Sequence, residues 1–571
     1  MAKSQDRKQG SSPAVQGLFD QASRYHKAGQ LAEAERLYRQ ILSVEPRHVD
    51  TLHLLGVLAH QVGRPDIAVD LIGQAVALKP DYIVAHYSLR NLGQSLQNQG
   101  KFEEARGCYE RALALKPDSV ETLNDLGNVS SAQGRPDEAI AFYKRALALK
   151  PELAPLHSNL LLAMIYTASV SPPELTAAAR EFARCIADPL RRQRPFVNDW
   201  NPERKLRIGY VSPDFCDHPV NYFLEPLLNL HDRDKFEIFA YTNTVKEDAV
   251  TARLKQKFDH WRDIRNLSDD EAADLIESDA IDILVDIAGH AADNRLLVFA
   301  RKPAPIQATW LGYPATTGLE AIDYRITDSY ADPVGMSESL NVERLWRLPD
   351  MFCCYQAHEN SPAVIDRPPF EDNGYVTFGC FNHFSKVGDL VLAAWARILE
   401  QAPESRLLLE IVGLDGPQRR AEVEERLQRF GLPLNRVILE SRKKSNQFVL
   451  YNRIDIALDP FPCNGGTTSM DTLWMGVPFI TLAGQHLGSR LGVTVLSNAG
   501  LVELIGKTTD EYVRLAVDLA FDHERLRKLR HHLRDKVAVS PLMDQDKFTR
   551  NIEVAYREMW RTRCAAQSGT E

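Results

Sequence analysis

The chain has 571 residues, 44% hydrophobic and 25% charged, with a formal net charge of -9. That length implies several domains with ample apolar material for a core, and the acidic balance argues against nucleic acid as the main partner, because a phosphate-binding surface needs clustered positive charge. The eight cysteines form no C-x-x-C pair, so neither a zinc ribbon nor a dithiol redox site is expected.

The first 13 residues are polar and are expected to be disordered. They lack the apolar stretch of a secretory signal, and no run approaches the roughly 18 apolar residues of a membrane span. A cytoplasmic protein with reduced cysteines and no membrane partner is therefore expected.

A repeat follows. Pro46, Pro80, Pro117 and Pro151 are spaced by 34, 37 and 34 residues. Ala34, Ala68, Ala105 and Ala139 each lie five residues after Gly29, Gly63, Gly100 or Gly134, and Gly56, Gly93 and Gly127 lie seven before the last three of those glycines. This is the tetratricopeptide pattern. Small alanines let two antiparallel helices approach, the glycine makes the turn between them, and the proline ends the second helix. Four repeats to Pro151 with a capping helix through Tyr166 predict an α-solenoid over 14–166. Its groove suits an extended peptide or a partner helix, and a scaffold for homodimerisation is the alternative. The three extra residues of the middle spacing are assigned to 88–91, between repeats. Asn124 occupies a groove position whose equivalents are His53 and Arg90.

A helical linker is expected over 167–204. Short β-like runs then alternate with amphipathic helical stretches: 206–211, 236–241, 281–287, 306–310 and 324–327 in a domain over 205–370. Runs at 376–381, 406–412, 437–440, 454–458 and 478–482 follow in a domain over 371–540. Such alternation predicts parallel sheets with helices on both faces, hence two Rossmann-like α/β domains with ligands bound at the carboxyl ends of strands. In the tail over 541–571, residues 544–560 read as a structural helix with Phe548, Ile552, Ala555, Tyr556 and Met559 on its apolar face, and the end after Arg563 is expected to be disordered.

The informative residues sit at strand ends. The first run leads into Ser212-Pro-Asp-Phe-Cys-Asp-His218, the sixth into Asn382-His-Phe-Ser-Lys386, and the ninth into Asp459-Pro-Phe-Pro-Cys-Asn-Gly465-Gly466-Thr467-Thr468-Ser-Met-Asp471. The last has the chemistry of a diphosphate cradle: glycines that permit close backbone approach, threonine hydroxyls, and the free N–H groups of a helix start. Asp471 suits ribose hydroxyls, and Lys386 suits the charge of a diphosphate leaving group. Each piece has an ordinary structural alternative: a core histidine, a helix cap, a surface lysine. Their convergence on strand ends favours a site.

These segments resemble the nucleocytoplasmic O-linked N-acetylglucosamine transferase family in its bacterial form. The resemblance is carried by Asp214-Phe-Cys-Asp-His-Pro-Val220, Pro303-Ala-Pro-Ile-Gln-Ala-Thr-Trp-Leu-Gly-Tyr-Pro314, Cys463-Asn-Gly-Gly-Thr-Thr468 and Met470-Asp-Thr-Leu-Trp474. It implies a GT-B fold, an inverting glycosyltransferase, UDP-GlcNAc as donor and protein Ser/Thr hydroxyls as acceptors. By that resemblance His218 is the active-site histidine, as base or positioner, and an imidazole accepts a proton near neutrality. Lys386 is the phosphate-contacting lysine. Thr467, Thr468 and Asp471 fall on the diphosphate and ribose contacts, with Gly465 and Gly466 the cradle glycines before them, Arg442 and Lys444 lie beside the nucleobase segment, and Gly312, Tyr313 and Pro314 line the sugar pocket, with His290 a further pocket candidate. This chain departs from the animal members at Gln447 and Gly466, where they carry histidines, and at His383, where they carry glutamine. A plant branch that uses GDP-fucose has a loop similar to Phe461–Thr468, so a protein O-fucosyltransferase is an alternative.

No metal or other cofactor is expected. Asp232-Arg-Asp234 and Asp544-Gln-Asp546 have D-x-D form but lie in charged segments, and lysine, helix dipole and backbone amides can do the work of a cation. A non-catalytic repeat scaffold that senses a nucleotide sugar, and a transferase acting on a small molecule or glycan, are the readings from other classes.

Overall fold

The computed structural model describes residues 12–359, 361–443, 445 and 448–567. By internal contacts these form two units, one of residues up to 130 together with 416–419, the other of the remainder.

In the first unit, helix pairs Pro13–Lys27 with Leu31–Val44, Val49–Gln61 with Pro65–Leu78, and Val84–Asn98 with Phe102–Leu115 repeat one geometry. Gly29, Gly63 and Gly100 make the turns at φ near +75°, a conformation that costs a residue with a β-carbon. Ala34, Ala68 and Ala105 are wholly buried between the paired helices. A β-carbon on Gly56 would lie 2.7 Å from Ile72, and one on Gly93 2.5 Å from Tyr109, so the repeat couples a glycine on one helix to a large side chain on the other. The second helices stop at Val44, Leu78 and Leu115, because the residue before a proline is pushed out of the helical region.

Two boundaries differ from expectation. Ser12 caps the first helix, its hydroxyl accepting from the Val15 amide at 3.3 Å, and Pro13 is the first helical residue, so residues 12 and 13 are ordered; residues 1–11 lie outside the described residues. Positions 88–91 fall inside the helix Val84–Asn98, which has 15 residues where Val49–Gln61 and Val120–Ala132 have 13. The extra length is therefore absorbed mainly by a longer helix, because the helix can start earlier without disturbing the glycine contacts downstream. At the groove positions, His53 Nε2 meets Ser88 Oγ at 2.9 Å and Arg90 Nε donates to Asp125 at 2.6 Å.

The second unit holds helices Pro136–Leu149, Ala154–Met164 and Pro172–Phe182, then two sheets. The first sheet is β1 (Leu206–Ser212), β2 (Phe236–Thr242), β3 (His260–Asp263), β4 (Ile283–Asp286), β5 (Ile306–Thr309), β6 (Tyr324–Asp328) and β7 (Arg344–Leu348), in the order 3-2-1-4-5-6-7. The second is β8 (Thr377–Cys380), β9 (Arg406–Ile411), β10 (Val437–Ser441), β11 (Ile456–Leu458), β12 (Phe479–Leu482) and β13 (Ile505–Gly506), in the order 10-9-8-11-12-13. The pairings are parallel throughout. These are two doubly wound α/β domains, as expected. β3, β7 and β13, all at sheet edges, were not foreseen. They are short or carry charged residues, because an edge strand escapes the two-sided burial that makes a central strand read as an apolar run. Strand order reverses between β1 and β4 and between β8 and β11, which puts a ligand crevice at those carboxyl ends.

The terminal helix Gln545–Gln567 returns to the first sheet. Tyr556 and Tyr210 hydroxyls meet at 3.1 Å, Glu553 meets His231 Nδ1 at 3.1 Å, and Phe548 stacks on Trp310. The helix continues past Arg563 and buries Cys564, so the expected disorder does not begin there. None of the described helices is long and apolar enough to cross a membrane.

Candidate active site

The carboxyl ends of β1, β8 and β11 border one cleft of about 350 Å³, lined by His218, Gly312, Asn382, Lys386, Gly466 and Thr467 among others. It adjoins a recess of about 390 Å³ that includes Glu410, Tyr451 and Asp471, and Arg442, Thr467 and Thr468 border both.

The loop after β11 builds an anion seat. The Gly465 amide donates to Asp459 at 2.7 Å, and the Thr481 hydroxyl donates to the other carboxylate oxygen at 2.7 Å. Burial pushes the Asp459 carboxyl up to about 7. A β-carbon on Gly465 would lie 2.5 Å from Ser469 Oγ and 2.9 Å from Asn382 Oδ1, whereas one on Gly466 would meet nothing within 4 Å. Gly465 is thus needed for close packing, and Gly466 keeps the backbone approachable from the cleft. Gly466 caps the helix Thr467–Trp474, whose first amides have no intrahelical acceptor and point their partial positive charge at the cleft. The 3-10 turn Phe384–Lys386 brings the Lys386 ammonium to the same place, where it donates to the Asn464 carbonyl at 2.6 Å. A lysine and a helix N-terminus converging on one point form an anion site suited to a diphosphate.

One turn along that helix, Asp471 faces the neighbouring recess and accepts a hydrogen bond from the Tyr355 hydroxyl at 2.5 Å. Burial raises its carboxyl to about 7. Arg442 donates to Glu410 at 3.0 Å and to the Phe381 carbonyl. Burial pushes Glu410 up, and Arg442 opposes the rise. Lys444 and Gln447, expected beside the nucleobase, lie outside the described residues.

Across the cleft, β1 runs into the loop that carries His218. Its Nδ1 lies 3.7 Å from Asp214 Oδ2, and the ring is nearly half exposed. Asn221 ties this loop by donating to the carbonyls of Asp214 at 2.8 Å and Cys216 at 2.6 Å. Burial raises the Asp214 carboxyl, and His218 works against that rise. Gly312 and Pro314 line the same side. A β-carbon on Gly312 would lie 2.4 Å from the Ile287 carbonyl, so only glycine lets this loop pass the end of β4. Arg325 donates to the carbonyls of Ala315 and Tyr313, and Glu343 accepts from Thr316 at 2.6 Å and from the Thr317 amide at 2.7 Å.

Two expected pocket residues are corrected. His290 is 1% exposed and does not line the cleft. Its Nε2 meets the Thr317 carbonyl at 2.9 Å and its Nδ1 meets Ser158 Oγ at 3.0 Å. A carbonyl can only accept, so Nε2 carries the proton, and burial lowers the ring to about 4. Tyr313 likewise turns inward against His290 and its hydroxyl reaches the Leu161 carbonyl at 3.3 Å, leaving only its neighbours Gly312 and Pro314 at the cleft. Sequence reasoning could not separate them, because adjacent loop residues point in opposite directions. His383 lines the cleft, with Nδ1 2.8 Å from Ser385 Oγ.

Tyr355, Asn382 and Asn464 were missed, as were Leu162, Ile165 and Tyr166, which border the cleft from the end of the capping helix Ala154–Met164. The Asn residues sit inside the motifs already singled out, while the capping helix read only as apolar. The D-x-D segments do local work: Asp232 accepts from Lys235 at 2.7 Å and Asp544 accepts from the Lys547 amide at 2.9 Å. Among the described residues no group of three His, Cys, Asp or Glu side chains is placed to hold a metal ion.

The family model for glycosyl transferase family 41 matches residues 164–368 and 370–552, and tetratricopeptide models match 19–83 and 84–152. A barley protein named a probable UDP-N-acetylglucosamine–peptide N-acetylglucosaminyltransferase SPINDLY is 42% identical over 72% of this chain and 44% of its own length. The Arabidopsis thaliana protein of the same description with the name SEC is 30% identical over 64% of this chain and 38% of its own. The chain thus spans less than half the length of these curated relatives. A solved Thermobaculum terrenum O-GlcNAc transferase mutant is 36% identical, with a TM-score of 0.75 over 98% of this chain and 100% of that one.

Proposed function

Because the chain belongs to glycosyl transferase family 41, we propose that it moves N-acetylglucosamine from UDP-GlcNAc to serine or threonine hydroxyls of proteins. The observation that carries this reading is the meeting in one cleft of His218 from the first α/β domain with Lys386 and the Gly466–Thr468 helix start from the second. The diphosphate sits on the helix start and Lys386, the ribose against Asp471, and the sugar faces Gly312 and Pro314. An acceptor hydroxyl approaching from the His218 side attacks the anomeric carbon opposite the diphosphate. The new carbon–oxygen bond forms as the bond to the β-phosphate oxygen breaks, which inverts the centre. The hydroxyl proton leaves to a base on the acceptor side, with His218 placed to take or orient it. Lys386 and the helix amides stabilise the charge that grows on the departing UDP. Its own groups supply this stabilisation, so the reaction is read as needing no metal.

Acceptor proteins are held by the repeats and enter past Leu162, Ile165 and Tyr166. All eight cysteines are free thiols, which supports a reducing, cytoplasmic setting. The test is transfer to a serine-containing protein acceptor with UDP-GlcNAc or GDP-fucose as donor, using wild type and the Lys386→Ala and His218→Ala proteins. Transfer from UDP-GlcNAc that both substitutions depress supports the reading. Transfer from GDP-fucose alone replaces the donor, and nucleotide binding without transfer to any acceptor leaves a sensing scaffold.

A further inference from the structure

Arg426, on the helix Pro417–Arg429, is 6% exposed, yet its guanidinium reaches four acceptors. It donates to the carbonyls of Gln133 and Gly134, each at 3.0 Å, to the carbonyl of Val387 at 3.0 Å and to Asp389 Oδ1 at 2.9 Å. It also lies over the Phe384 ring at 5.4 Å. Gln133 and Gly134 form the turn before the helix Pro136–Leu149, and Phe384 and Val387 bracket Lys386. One planar, permanently charged fork therefore fastens a repeat turn to the segment that carries the lysine.

Gly134 shows how close the two segments come. It shares φ near +75° with Gly29 and Gly63. At those two a β-carbon would meet nothing within 4 Å, but at Gly134 it would lie 2.9 Å from the Phe384 carbonyl, 3.3 Å from the Val387 carbonyl and 2.6 Å from Arg426 Nη1. Gln133 adds a bond to Glu422 at 2.7 Å. The fourth turn glycine thus has a packing role that Gly29 and Gly63 lack.

We propose that Arg426 and the Gln133–Gly134 turn are positioning elements that set the Lys386 ammonium against the diphosphate seat. The inference rests on the role given to Lys386 above. The buried carbonyls of Gln133, Gly134 and Val387 are satisfied by one guanidinium, and removing it leaves them unpaired and frees the lysine's segment to shift. The lysine must hold its place to a fraction of an ångström to stabilise a leaving group.

The experiment is a double-mutant cycle on the full chain. The Arg426→Met protein is expected to lose at least tenfold in kcat with less than threefold change in donor KM, and Arg426→Lys to recover only part. In a Lys386→Ala background the same Arg426→Met change is expected to alter kcat by less than twofold, since its effect passes through the lysine. A merely structural arginine would lower the rate equally in both backgrounds, and that result overturns the proposal. The Gly134→Ala protein provides a second variant should Arg426→Met not fold: it is expected to reproduce the kcat loss, while Gly63→Ala, which carries the same backbone strain alone, is not. If the wild type shows no transfer, the functional reading fails by itself. A crystal structure of Arg426→Met, or of Gly134→Ala, then decides: Lys386 Nζ displaced beyond 3.5 Å from the Asn464 carbonyl supports the proposal, and an unmoved lysine sinks it.

Discussion

Tyr355 and Asp471 are 116 residues apart in sequence, and the phenol donates to the carboxylate at 2.5 Å. Tyr355 belongs to the segment that leaves the first sheet, Asp471 to the helix that begins at the diphosphate seat. The bond fixes one rotamer of the aspartate and leaves its second oxygen for the recess.

Loss of that bond should appear in donor binding. The Tyr355→Phe protein is expected to bind UDP about tenfold more weakly, as one hydrogen bond of roughly 1.4 kcal/mol implies, with kcat little changed. Isothermal titration with UDP checks this, and equal affinity would show that the carboxylate is held by other means.

The same carboxylate predicts a pH dependence. Burial raises Asp471 to about 7, above its ordinary value in an unfolded chain, so the folded protein keeps a proton that the unfolded chain releases. Its contribution to stability is complete below the unfolded value and is lost as pH rises through about 7. The Asp471→Asn protein never ionises there and still accepts from Tyr355. Its Tm is therefore expected to gain on wild type between pH 5 and pH 8. A Tm difference that stays constant across that range would contradict the assignment.

Lys386→Ala should lower kcat by about 10² to 10³, the range found when a single preorganised electrostatic group is removed. The Tm should change little, since the ammonium is only partly buried, donating to the Asn464 carbonyl beside the Cys463 thiol. UDP release kinetics on folded protein measure the effect.

His290 separates a structural from a catalytic histidine. Both its ring nitrogens have protein partners in a buried site. His290→Ala is expected to cost about 3 kcal/mol in urea unfolding, from the cavity and the unpaired groups. Its kcat per folded molecule should stay within threefold of wild type. A rate loss comparable to that of His218→Ala would return His290 to the site.

Much of this molecule was readable along the chain. The repeat positions of Gly29, Ala34 and Pro46 announce a helix pair because each residue acts on its own backbone or on a helix a few residues away. The central strands announced themselves by continuous apolar runs, and the Gly465–Asp471 segment by a local conjunction of glycine, hydroxyl and helix start. The edge strands β3, β7 and β13 were hidden, since one-sided burial leaves no such run.

What only the tertiary structure decided concerns direction and partnership. His218 and His290 each follow a strand of the same sheet, and in sequence both were candidates. In the fold one ring faces the cleft and the other is held between Ser158 and Thr317. Tyr355 and Arg426 carry no motif, and their roles exist only because folding brings them to Asp471 and to the lysine segment. Side-chain periodicity and motif chemistry are local properties, and so a sequence displays them. Which way a loop residue turns, and which distant group satisfies it, is settled by packing and by the requirement that buried polar groups find partners.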